Sequence, residues 1–161
     1  MPDEPLPPIG TLGFRVQRYG MLQWGDLFTA RQKVFLRNLY TLIEALSKTD
    51  SSNSDLAEAA TMVVGRTATY GTASGWWHRP GEKMGPIFGR PALPIVWDFA
   101  EVNPFVEATG GYSGALEWVA RVIETTACCN LKPGQVSQAD ACTSPLPNEA
   151  VSVWFTDPPY Y

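Results

Sequence analysis

The chain has few of the residues that build metal centres or disulfide scaffolds. Its 161 residues include one histidine and three cysteines, Cys128, Cys129 and Cys142, and no pair of cysteines has the spacing C-x-x-C. An odd number of cysteines without that spacing favours reduced thiols over a zinc site. No metal site is therefore expected.

Long apolar segments are also lacking. The sequence has no run of 18 apolar residues, and its start does not combine a charged, an apolar and a small-residue region. Membrane spans and secretion signals require such segments. We therefore expect no membrane association and, by default, a cytoplasmic location.

Positive charge is scarce overall but locally concentrated. The net charge is −4, which argues against general polyanion binding, because that affinity comes from clustered lysine and arginine. One stretch interleaves basic with aromatic residues: Trp77, His78, Arg79, Lys83 and Arg90. This mixture suits phosphate contact combined with base stacking, so these residues are candidates for a nucleic-acid interface. A solvated loop with aromatic anchors to the core is the alternative interpretation.

Apolar residues make up 45% of the chain, enough to bury a core in a domain of this length. Their spacing predicts three helices. The first begins at Thr29, with Gln32 completing a capping box, and ends near residue 47. The second covers residues 55–70, and the third follows Tyr112 with Ser113 as its cap.

Strands are predicted at residues 95–99, 134–139 and 150–155. The rest of the stretch from 71 to 111 is rich in proline and loops, which is typical of a binding region or an insertion. A helix followed by two strands is typical of a doubly wound sheet. The predicted fold class is therefore α/β, with a helical and loop-rich insertion.

The sequence Asp157-Pro158-Pro159-Tyr160 follows the last predicted strand. Ligands of open α/β sheets bind at the carboxyl ends of strands. Asp157 supplies a carboxylate acceptor, and the prolines fix a backbone carbonyl as a second acceptor for an amino group. Tyr160 offers a ring on which an extruded base could stack. The tetrapeptide therefore indicates methyl transfer to an exocyclic amine, although a tight turn after a strand would use the same residues.

Several segments together resemble prokaryotic adenine-specific DNA methylases. They are GTLGFRVQRYGMLQWGDLFTARQ from Gly10, ALPIVWDFAEVNPF at 92–105, GALEWVARVIE at 114–124 and VWFTDPPYY at 153–161. The family consists of large methylases that carry an N-terminal domain of unknown function, some of them associated with phage defence. The resemblance extends over most of the chain.

The resemblance implies a partial Rossmann-like methyltransferase fold that uses S-adenosylmethionine and acts on the N6 amine of adenine in DNA. Asp157, Pro158, Pro159 and Tyr160 match its catalytic motif, and Asp140 matches the position of an acidic residue near the adenine of the cofactor. The implied organisation is an irregular lead-in at 1–28, an insertion at 29–111 that recognises the target, and part of the catalytic domain at 112–161.

In this family the glycine-rich cofactor loop, of the kind Pro-Phe-x-Gly-x-Gly, lies upstream of the matching region. We therefore expect the chain to be a fragment of a larger methylase, inactive without the upstream and downstream portions. Within the chain, Asn103-Pro104-Phe105 followed by Gly110, Gly111 and Gly114 imitates such a loop with the wrong spacing, which favours a turn at a helix start.

Alternative functions remain open at this point. The tetrapeptide also suits methylation of cytosine N4 or of an RNA base. A truncated, non-catalytic interaction module is a further possibility. Residues 101–103 form another polar cluster in the loop region and are candidates for contact with the target strand.

Overall fold

A computed structural model of the chain describes residues 2–49, 53–89, 92–93, 95–132, 134–140, 142–143 and 146–157. The contacts divide the chain into two compact units, Met1–Cys129 and Asn130–Tyr161. The first unit contains every helix and strand among the described residues. They are the helices α1 (Ala30–Thr49), α2 (Ser54–Tyr70) and α3 (Tyr112–Ala127), and the strands β1 (Trp76–His78) and β2 (Lys83–Gly85).

The three predicted helices are confirmed. The start of α1 has the predicted capping box, in which the Thr29 amide donates to Gln32 Oε1 over 2.8 Å and the Gln32 amide donates to Thr29 Oγ1 over 3.3 Å. α2 packs against both α1 and α3. The cap predicted for α3 is wrong, because Gly111 takes the N-cap position and no side chain caps this helix.

The helices do not supply the main core. The principal cluster of buried residues comes from the irregular first 27 residues and from residues 87–93. Its members are Leu6, Phe14, Val16, Leu27, Ile87 and Leu93. Three short 3-10 turns and a bridge between Pro5 and Gln23 fold the N-terminal segment over this cluster. The predicted irregular lead-in is therefore a central part of the packing.

The described sheet is a two-stranded antiparallel hairpin. β1 and β2 pair in the register Trp76 with Gly85, Trp77 with Met84, and His78 with Lys83. The fold is thus a mixture of helices with one small sheet, and no parallel sheet occurs among the residues that the structure describes.

The strands predicted at 95–99, 134–139 and 150–155 are wrong for this structure, in which none of these residues belongs to a strand. A strand is stable only when a neighbouring strand receives its backbone hydrogen bonds. All described residues of the second unit are instead exposed, including Val153 and Phe155, which expose 80% and 91% of their surface. Residues that favour β-structure therefore do not form a strand when no neighbouring strand pairs with them.

Candidate functional site

The proposed amine-holding motif lies mostly outside the described residues. Asp157 is described and exposed, whereas Pro158, Pro159 and Tyr160 lie beyond the range that the structure describes. The apolar residues before Asp157 form no strand, so this carboxylate does not follow a sheet edge as predicted.

Asp140, the residue matched to a cofactor contact, takes part in a local turn. Its Oδ1 accepts a hydrogen bond from the Cys142 amide over 2.8 Å, and its backbone oxygen accepts one from the Thr143 amide over 2.9 Å. Aspartate commonly starts such turns because its carboxylate reaches the amide two residues ahead. The carboxylate is exposed and is held by its own loop.

The glycines before α3 serve the packing of its first turn. A side chain on Gly111 would meet the backbone oxygen of Val106 at 1.9 Å, and one on Gly110, whose φ is +97°, would meet Tyr70 and Val102 at about 3.1 Å. The glycines therefore allow close contact between backbone segments, in agreement with a turn at a helix start. The space beside Gly111 is filled by the Val106 carbonyl, and the Asp140 carboxylate is engaged by the Cys142 amide, so neither feature by itself fits S-adenosylmethionine.

The candidate nucleic-acid residues are gathered on the hairpin. Trp77 and His78 lie in β1, Arg79 lies in the connecting turn, and Lys83 opens β2 directly opposite His78. Arg90 lies outside the described residues. Because paired residues share one face of a hairpin, His78 and Lys83 project from the same side. Trp77 belongs to the opposite face, and about half of its surface is exposed.

Local contacts stiffen this hairpin. The Gly81 amide donates to His78 Nδ1 over 3.1 Å, so the Nδ1 atom acts as an acceptor and the proton of a neutral imidazole belongs on Nε2. The rings of Trp76 and His78 meet edge to face with centroids 5.6 Å apart. The indole of Trp76 also lies directly over Gly85. The hairpin thus presents an aromatic pair beside one lysine and one arginine.

A second candidate site, a cleft between α1, α2 and the loop at 101–110, was missed by sequence reasoning. Its volume is about 450 Å³. The first two turns of α1 and the end of α2 form one side, and the loop forms the other. The lining of the cleft includes Arg31, Gln32, Phe35, Glu101, Asn103 and Phe105.

The rim of this cleft is closed by an ion pair across 70 residues of sequence. Arg31 donates from Nε and Nη2 to the two carboxylate oxygens of Glu101, over 3.3 and 2.5 Å. Thr29 Oγ1 also contacts Glu101, at 3.4 Å. The residues of the predicted capping box, Thr29 and Gln32, lie on one side of the cleft. The sequence signal on the other side was the polar cluster at 101–103.

Groups of histidine, cysteine and carboxylate side chains that could hold a metal ion are not found among the described residues. The three cysteines are free and exposed. Over the same residues, no helix combines the length and apolar character that a membrane crossing requires.

Comparison with known proteins does not add an identification. No protein-family model matches the chain, and neither the curated proteins nor the solved structures give a match.

Proposed function

We propose that the chain is a portion of an S-adenosylmethionine-dependent DNA methyltransferase that methylates the N6 amine of adenine. The observation that carries this proposal is the sequence Val-Trp-Phe-Thr-Asp-Pro-Pro-Tyr at 153–160, together with the three upstream segments that resemble adenine-specific methylases. The proposed enzyme has a Rossmann-like catalytic domain, in which the apolar residues 151–155 become a strand once neighbouring strands are supplied.

In the proposed reaction, this chain positions the target amine. The Asp157 carboxylate accepts a hydrogen bond from the amino group, and the backbone carbonyl fixed by Pro158 and Pro159 accepts another. Tyr160 stacks on the extruded base. These contacts direct the nitrogen lone pair outward, so that orientation and electrostatics supply the catalysis.

The cofactor belongs to other parts of the proposed enzyme. The exposed Asp140 and the packed glycine turn do not fit S-adenosylmethionine, so we assign no step of the reaction to a cofactor site in this chain. We expect the isolated polypeptide to show no saturable binding of labelled S-adenosylmethionine, and the intact methylase to provide the site.

The test is expression of the coding region with its flanking sequence in a host whose DNA lacks methylated adenine. Mass spectrometry of digested DNA should find N6-methyladenine, and Asp157→Asn should lower it by about 100-fold or more, as loss of one catalytic hydrogen bond does. Lys132→Ala, on an exposed residue outside the proposed strand, is the control for expression. N4-methylcytosine would favour the cytosine alternative, and unmethylated DNA from well-expressed, folded protein would refute the proposal.

DNA contact by the hairpin is the second part of the proposal. The exposed Trp77 and the positive charges of Arg79 and Lys83 support it, although the net charge of −4 limits the affinity. Replacing Lys83 by alanine should reduce the slope of log affinity against log salt by about 1, because one phosphate contact is lost. Lys132→Ala, on an exposed lysine of the second unit, should leave that slope unchanged. An unchanged slope for Lys83→Ala would assign the hairpin a packing role.

A further inference from the structure

A further cavity, which we call the aromatic groove, lies between residues 13–19 and residues 76–96 of the first unit. Its volume is about 640 Å³, within the range of ligand sites. Ile87 and Leu93 line it and are 2% and 5% exposed, as members of the principal core cluster. Because packing fixes these two residues, the groove is formed before a ligand arrives, and this lowers the ordering cost of binding.

Two aromatic side chains line the groove and remain open to solvent. Tyr19 exposes 55% of its surface, and Trp76 exposes 37%. The ring of Trp97, which is 83% exposed, meets Tyr19 edge to face with the centroids 5.7 Å apart. In an edge-to-face pair, each ring keeps at least one face that its partner does not cover. The groove therefore offers flat surfaces on which planar ligand groups can stack.

The groove continues into one face of the hairpin. Trp76 lines the groove, and its ring also meets His78 edge to face at 5.6 Å. His78 pairs with Lys83, so Lys83 projects from the same face of the hairpin. The groove and the hairpin that carries the proposed DNA contact therefore form one continuous surface.

Charge favours an anionic ligand in the groove. Among the described residues of its lining, Arg15 is the one that carries a charge. Its side chain is exposed, and none of the ion pairs within the described part of the chain includes it. A guanidinium beside stacking rings suits a ligand that joins phosphates to flat rings, as nucleic acid does. A proline-rich peptide also suits an aromatic groove, but it gives Arg15 no anionic partner.

The same charges indicate which form of nucleic acid fits. The net charge of the chain is −4, and the carboxylates of Glu82 and Asp98 adjoin Lys83 and Trp97 in sequence, so attraction to phosphates alone is limited. Stacking must then supply most of the affinity. In a duplex the faces of each base are covered by its neighbours, whereas an unpaired base can place a free face on an aromatic ring. The surface therefore suits a single strand.

We propose that the aromatic groove binds unpaired bases of single-stranded DNA. The bases stack on Tyr19, Trp76 and Trp97, a backbone phosphate pairs with Arg15, and the strand continues along the hairpin to Lys83. The choice of DNA rests on the proposed methyltransferase function, whereas the open rings and the unengaged arginine select a single strand by themselves.

Fluorescence anisotropy of the full chain with a short labelled oligothymidine tests the proposal. This probe contains no adenine, so its binding does not depend on methyl transfer, and either proposal can fail without the other. Binding should saturate at low salt. A duplex of the same length and an abasic oligonucleotide of the same charge should each bind about tenfold more weakly or worse.

Several results would overturn the proposal. They are absence of saturable oligothymidine binding, equal affinity for the duplex or the abasic strand, tighter binding of oligouridine, and displacement of the probe by a neutral proline-rich peptide. Equal affinity for the abasic strand would leave phosphate contact alone, and tighter binding of oligouridine would assign the groove to RNA.

Aromatic variants locate the stacking. Tyr19→Ala should weaken oligothymidine binding by about tenfold, as loss of one stacking ring does, and Tyr19→Phe should retain it. Trp97→Ala removes a ring that is almost fully exposed, so the protein should stay folded while binding weakens to a similar degree. Tyr40→Ala, on an equally exposed tyrosine of α1, should have no effect. Binding that survives both Tyr19→Ala and Trp97→Ala would refute the proposal.

The phosphate contact has a separate readout. Arg15→Ala should reduce the slope of log affinity against log salt by about 0.7, the value for one phosphate of a single strand. Arg37→Ala, on an exposed arginine of α1, should leave the slope unchanged. A native slope for Arg15→Ala would show that Arg15 contacts no phosphate and would contradict the proposed path of the strand.

Discussion

Asp26 shows how one exposed carboxylate organises the irregular N-terminal segment. The backbone amides of Gln23 and Leu22 donate to its Oδ2 atom over 3.0 and 2.8 Å. These bonds hold the pKa of the Asp26 carboxyl below its ordinary value, and Lys33 acts in the same direction more weakly. The folded state therefore binds this proton less tightly than the unfolded chain. Its stabilising effect is complete above the unfolded pKa and is lost as the pH falls through the folded pKa.

Asp26→Asn should accordingly lower the urea midpoint of unfolding at pH 7. The difference from the native chain should shrink once the pH falls below about 4, where the unfolded aspartate takes up its proton. Urea titrations followed by circular dichroism at pH 7, 4 and 2.5 measure it. The same difference at all three values would mean that the charge of Asp26 has no part in stability.

Gly85 has no side chain, and this leaves room for the ring of Trp76. A Cβ atom at this position would lie 2.0 Å from Trp76 Cε2. Gly85→Ala should therefore displace the indole and lower the free energy of unfolding by about 1–3 kcal/mol, the usual range for overpacking. Near-ultraviolet circular dichroism should lose part of its tryptophan signal. An unchanged spectrum together with unchanged stability would show that the ring does not occupy this position.

At the scale of elements, α2 has a glycine with no structural role in its interior. A side chain on Gly65 would meet no atom within 4 Å. Gly65→Ala should therefore raise the free energy of unfolding by about 0.5–1 kcal/mol, since alanine loses less backbone entropy in a helix. Thermal and urea unfolding measure the change. A decrease in stability would indicate that another surface covers this position.

Removing the cap of α1 should lower the free energy of unfolding. Thr29→Ala removes the hydroxyl that accepts the Gln32 amide, and should lower the free energy of unfolding by about 1 kcal/mol. Thr41→Ala is the matched control, because the Thr41 hydroxyl only donates back to the Arg37 oxygen within the same helix. Equal losses for the two variants in urea titrations would remove the capping box as the explanation.

Helices were predictable from the sequence because their signals are local. The capping residues Thr29 and Gln32 lie three positions apart, and the apolar spacing of α2 and α3 repeats within each segment. Strands were not predictable from the composition of single segments, because a strand forms only where a second segment pairs with it. Thus Trp76–His78 became a strand by pairing with Lys83–Gly85, whereas the apolar residues 150–155 did not.

At the scale of the whole molecule, the described packing is concentrated in the first unit. All described residues from 121 onward are exposed, whereas the buried cluster draws on residues 6–93. A chain that ends after Cys129 should therefore melt within about 2 °C of the full chain and keep its helical signal. Circular dichroism during heating measures both. A decrease of more than about 5 °C would show that the second unit contributes to stability.

The candidate sites were predictable to different degrees for the same physical reason. Trp77, His78, Arg79 and Lys83 are close in sequence, so a turn was enough to bring them together. The cleft depends on Gln32 and Asn103, whose proximity requires the folding of about 70 intervening residues.

The ion pair between Arg31 and Glu101 has a consequence for synthesis on the ribosome. Translation proceeds at about 5–20 residues per second, so the partner of Arg31 is added about 4–14 s after it. During that interval we expect the first turn of α1 to leave the exit tunnel without the loop that covers it. Protease digestion of arrested nascent chains should find this turn cleaved until residues beyond Glu101 have emerged, and protection at shorter chain lengths would contradict that order.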